Sequence, residues 1–145
     1  MDLNLKRVLA LIQKDVENNW TELDWEFEQR PEEVVVSTSI SLKNIKGGIR
    51  AIIRVYVGGG VSLRAVFDKL EPTEEVLKLV NKFNEEQPFF KAFIREDGFL
   101  ELSSFFVAYE MNMFKSYASE FLCRIDDLAE DDIIQTLASF TYIED

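Results

Sequence analysis

The chain has 145 residues, about one domain's length, with 47% apolar and 30% charged residues. That is enough apolar material for a packed core and too much for a mainly disordered chain. It carries 27 acids against 16 bases, a net charge of −11, no His and one Cys, Cys123, which excludes an internal disulfide framework and His-dependent nucleophilic catalysis and argues against structural zinc. No apolar run nears the ~20 residues of a membrane span. Nothing at the N-terminus has the charged leader, apolar stretch and cleavage site of a secretory signal. The expectation is a single soluble cytoplasmic domain over 1–145, with no membrane association.

Residues 2–18 read as an amphipathic helix, with Leu5, Val8, Leu9, Ile12 and Val16 on one stripe and Asp2 placed to cap it. Four period-two segments follow. In 22–28, Leu23, Trp25 and Phe27 alternate with Glu22, Asp24, Glu26 and Glu28, a half-buried strand with an acidic outer face, ended by Arg30-Pro31. The segments 33–42, 49–57 and 61–67 alternate likewise and are joined by Lys46-Gly47-Gly48 and Gly58-Gly59-Gly60. Short Gly-bearing links between such runs signal antiparallel hairpins.

The period then changes. Thr73 is placed to cap a helix whose first turn holds Glu74 and Glu75 and whose stripe is Val76, Leu79, Val80 and Phe83. Gln87-Pro88 ends it. Segments 90–95 and 99–106 form a hairpin across Glu96-Asp97-Gly98, and the second of them is apolar on both faces. Residues 112–128 are helical, with Phe114, Tyr117, Ala118, Phe121, Ile125 and Leu128 on the stripe, and a last helix covers 130–140, capped by Asp131 or Asp132. The order is α-β-β-β-β-α-β-β-α-α. Strands clustered in hairpins predict an α+β fold, with a mainly antiparallel sheet and helices on one face.

The stretch 72–106 resembles the YbjN-like family, also described as bacterial sensory-transduction regulators. Leu79-Val80-Asn81 and Phe83-Asn84 match its helix, and Lys91-Ala92 and Asp97-Gly98 match the strand and turn that follow. The resemblance covers about a quarter of the chain; the aromatic-rich C-terminal part, 109–143, departs from the pattern. It implies a fold shared with type III secretion chaperones and a cytoplasmic, non-enzymatic, often dimeric protein-binding module. It supplies no catalytic residues.

The residues themselves offer little chemistry. Gly58-Gly59-Gly60 joins two strands and lacks the Lys-Ser/Thr of a phosphate-binding loop, so it reads as a hairpin turn. "DDLAEDD", 126–132, lacks the order of a calcium loop and reads as a solvated helix junction. Cys123, beside Phe121 and Leu122, is expected as a small buried hydrophobe. Trp25 belongs to the core-facing set; Trp20 is expected to pack in the core or at its edge, with an interface anchor as the alternative. No cofactor, metal or catalytic residue is expected.

Charge is uneven. Residues 43–69 net +5, whereas 1–42 net −5 and 70–145 net −11. Direct nucleic-acid binding is disfavoured by the global charge, since phosphate contacts dominate that affinity. Period two points Arg50, Arg54 and Tyr56 away from the core, with Arg64 joining from the next strand and Ile52 and Val66 forming an apolar floor between them. These six residues are the expected partner-binding patch, because Arg, Tyr and aliphatic side chains suit an interface; the competing expectation is that the arginines only pair with acids such as Glu26 or Glu28. The primary reading is a protein-interaction module binding a partner protein. The alternatives are an acidic nucleic-acid-mimicking inhibitor and a carboxylate-based enzyme. A homodimer is expected from the two apolar faces of 99–106 and the aromatic stripe of 112–128.

Overall fold

Six antiparallel strands form one sheet in the computed structural model, which describes residues 3–142. They are β1 (Trp25–Gln29), β2 (Glu33–Ile40), β3 (Ile49–Tyr56), β4 (Gly60–Lys69), β5 (Lys91–Ile94) and β6 (Phe99–Val107). The helices are α1 (Leu5–Asn19), α2 (Glu74–Glu86), α3 (Met111–Asp127) and α4 (Asp132–Ser139), with a 3-10 turn, Leu128–Glu130, between the last two. The element order is the one the sequence predicts, and the α+β class holds.

The strands lie in the order β1-β2-β3-β4-β6-β5. The first four form a meander. The chain then crosses through α2 to the far edge, lays down β5, and returns through β6 into the space beside β4. One face is apolar throughout: Val34 and Val36, Ile49, Ala51, Ile53 and Val55, Val61, Leu63 and Ala65, and Leu100 and Leu102 are all buried. The helices cover this face and join it in a single core cluster through Val8, Ile12, Val80, Phe83, Phe114, Phe121, Ile134 and Leu137. Burying each such large side chain contributes roughly 1.5–3 kcal/mol, so this shared face holds the domain together.

The local signals act as expected, with some shifts. Thr73 accepts from the Val76 N–H and caps α2, and Asp131 accepts from the Ile134 N–H and caps α4. Helix α1 begins at Leu5 and is capped by Asn4, which accepts from the Arg7 N–H; Asp2 lies outside the described residues. Strand β1 begins at Trp25 rather than at 22, because Leu23 closes a turn onto the Trp20 carbonyl. Gly59 turns β3 into β4 at φ +99, where a Cβ would lie 2.8 Å from the Ala108 carbonyl oxygen. Only glycine meets both demands there.

Cys123 is exposed, contrary to expectation. The buried stripe of α3 is Phe114, Ala118, Phe121, Leu122 and Ile125. Cys123 follows Phe121 by two positions, which places it about 200° round the helix from that residue. The aromatic stripe also finds its cover within the chain. Phe114 and Phe121 are buried, Phe106 stacks on Tyr117 at 4.7 Å, and Phe90 meets Phe121 edge-on at 6.0 Å.

Candidate protein-binding face

The second face of the sheet carries no helix among the described residues. Its side chains fall into cross-strand rows. One row runs Glu28, Val35, Arg54, Ser62, Phe105; the next runs Glu26, Ser37, Ile52, Arg64, Ser103, Lys91; a third runs Ser39, Arg50, Val66, Glu101, Phe93. All six sequence-predicted residues lie on this face and are half-buried. Ile52 stands opposite Arg64, and Val66 opposite Arg50. The expected apolar floor between the arginines is therefore present in the register.

The arginines are not alike. Arg50 donates to Glu26 at 2.7 Å, to Ser37 at 2.8 Å and to Ser39 at 3.2 Å, so it is tied down across β2 to β1. Arg54 Nε lies 3.4 Å from Glu33, an ion contact whose angles do not make a hydrogen bond. Glu33 also receives Arg30 at 2.6 Å, and Arg30 grips both oxygens of Glu28 at 3.0 Å. Those bonds hold the Glu28 carboxyl below its ordinary value and raise the Arg30 guanidinium. Arg64 has no ion-pair partner among the described residues.

Several residues of this face were not in the predicted set. Phe105 is 63% exposed and Val107 43% exposed, both at the C-terminal end of β6. Phe105 and Tyr56 crowd over Gly60: a Cβ there would meet their rings at 2.9 and 3.4 Å. The signal was present, because 99–106 is apolar on both faces. Glu101 is the reverse case, 3% exposed although it points outward. It lies between Val66 and Phe93, with Arg95 Nη1 at 3.8 Å and its own Oε1 without a hydrogen bond.

Elsewhere, no group of His, Cys, Asp and Glu among the described residues is arranged to hold a metal ion. No described helix is long and apolar enough to cross a membrane. No family model matches the chain, and no curated protein does.

Proposed function

We propose that the chain is a cytoplasmic, non-enzymatic protein-interaction module of the YbjN-like type, and that its partner lies across the helix-free face of the sheet. The observation that carries the reading is the exposed apolar corner of that face. Phe105, which faces Ser62, stands diagonal to Arg64, a half-buried arginine without an ion pair among the described residues, and Val107 and Tyr56 continue the apolar surface at the Gly60 end of β4. Aromatic and arginine anchors of this kind dominate protein interfaces. The partner would present an acidic group to Arg64 and apolar side chains to the corner. The stretch that carries the family resemblance supports the reading through its architecture: Asn84 of α2 binds both backbone groups of Ala92 in β5, which ties the helix to the strand after it.

The test is affinity capture from the native cell, comparing the wild-type chain with Arg64→Glu, Phe105→Ser and a control on the helical side, Lys82→Glu. A partner retained by wild type and by the control, and lost by both face variants, supports the reading. Capture unchanged in both face variants overturns it. Light scattering of the purified chain at high micromolar concentration then tells a second copy from a different protein.

A further inference from the structure

The two edges of the sheet differ. In an antiparallel ladder, alternate residues turn their backbone N–H and C=O toward and away from the neighbouring strand. At β5, the Arg95 N–H bonds the Phe99 carbonyl, so Ala92 faces outward. Its outward groups are taken: Asn84 Oδ1 accepts the Ala92 N–H at 2.6 Å, and Asn84 Nδ2 donates to the Ala92 carbonyl at 2.9 Å. A side-chain amide thus stands where another strand would pair.

At β1 the Arg30 N–H bonds the Glu33 carbonyl in the same register as the ladder. Glu26 and Glu28 therefore turn their backbone groups to β2, and Trp25, Phe27 and Gln29 turn theirs to the open side. No side chain among the described residues closes that side. Trp25 and Phe27 are only half-buried, and a cleft of about 190 Å³ lined by Glu17, Trp20, Leu23, Trp25 and Phe27 runs beside them. The surrounding charge is acidic. Glu17, Glu22 and Asp24 have no ion pair among the described residues, while Glu26 and Glu28 are matched by Arg50 and Arg30.

We infer that the free edge of β1 accepts an extended polypeptide strand with basic residues at alternate positions and apolar residues between them. Backbone hydrogen bonds to Trp25, Phe27 and Gln29 would hold it. Its apolar side chains would fill the cleft, and its basic ones would meet the acids. An open edge is a template for another strand unless something blocks it. A second copy of this chain is the wrong occupant, because β1, Trp-Glu-Phe-Glu-Gln, has no basic residue to bring to the acids. The inference rests on the interaction reading only in taking the occupant to be a polypeptide; the surface is a different one.

The probe is a short peptide alternating Lys and Val, compared with its Glu-Val counterpart and with a Lys-Val peptide N-methylated at alternate residues. The chain's two tryptophans, Trp20 and Trp25, both border the site, so their emission reports binding directly. Amide exchange of Trp25, Phe27 and Gln29 reports strand pairing. The Lys-Val peptide should shift the emission, slow those three amides, and bind about tenfold or more tighter than the Glu-Val peptide at low salt. Gln29→Pro, which removes an outward N–H without touching the β1–β2 ladder, should abolish binding, as should N-methylation if that variant fails to fold. Arg64→Glu should leave peptide binding unchanged, so this inference and the open-face reading fail separately. Equal binding of the two charge forms, or no protection of the three amides at millimolar peptide, overturns the inference.

Discussion

Replacing Asn84 by Ala removes two hydrogen bonds at one stroke and leaves the Ala92 N–H and carbonyl unpaired at the edge of β5. Each such bond contributes about 1 kcal/mol net, and an unpaired buried group costs about 1–3 kcal/mol. Asn84 itself is exposed while Ala92 is buried, so water can reach the vacated side only in part. The expected loss is about 2 kcal/mol, which for a chain of this length lowers Tm by roughly 4–8 °C. Urea denaturation should show a lower midpoint with an unchanged slope, because the exposed area on unfolding is the same. Asn84→Asp keeps the acceptor for the Ala92 N–H and loses the donor, so it should lose at least half as much. Amide exchange at Ala92 should accelerate in Asn84→Ala beyond the global change. A loss below about 0.5 kcal/mol, the range of ordinary surface substitutions, would refute the strand-mimicking role of this amide.

Two further outcomes follow from local geometry. Gly59→Ala should destabilise the domain by about 1–3 kcal/mol, because it forces a side chain into a positive φ and against the Ala108 carbonyl oxygen; an unchanged thermal midpoint counts against that. The Glu28–Arg30 pair sets a pH dependence of known sign. The folded-state pKa of Glu28 is lowered below 4.5, so its contribution is present above that value and fades as pH falls through the folded pKa. The stability difference between wild type and Glu28→Gln should shrink between neutral and strongly acidic pH and shrink with added salt; a difference constant with pH contradicts the pairing.

Much of the fold was legible because two periods alternate cleanly along this chain. The strands 49–57 and 99–106 end within one residue of the observed elements, since Ile49, Ala51, Ile53 and Val55, and Leu100 and Leu102, must share one face. Where local alternation continues into a turn, period two alone does not mark the end of the strand. Leu23 keeps the period-two pattern but sits in a turn that only a hydrogen bond to Trp20 defines. Cys123 neighbours Phe121 in sequence but not in space, because residues three and four apart, not two, share a helix face. The outward direction of Arg50, Arg54 and Arg64 was legible from period two, and so was the pairing of Arg50 with Glu26. The pairing of Arg54 with Glu33 was not, because it needs the β2–β3 register. Nor was the burial of Glu101, which follows from β6 lying between β4 and β5. That arrangement is not sequential, and no local pattern encodes it.

The ion pairs divide the open face into two unequal halves, and the division bears on what the face can do. A partner that needs Arg50 must first draw it from Glu26 and two serines, and one that needs Arg54 must compete with Glu33. Exposed pairs of this kind contribute little to stability, about 0–1 kcal/mol each, yet they hold their side chains in place and fill their charge. Arg64 bears no such commitment among the described residues, and Ile52 beside it gives its stem an apolar wall. At the start of the same strand, β4, Gly60 supplies no side chain, and the space it leaves is where Phe105 and Tyr56 converge. The half of the face toward β1 is therefore a self-satisfied charged lattice. The half toward β6 combines an uncommitted guanidinium with exposed aromatic surface, the combination from which desolvated anchors are made. The basic patch read from the sequence spans both halves; the pairing commits Arg50 and Arg54 and leaves Arg64 and the Phe105 corner, among the described residues, as the part on which the proposed interface rests.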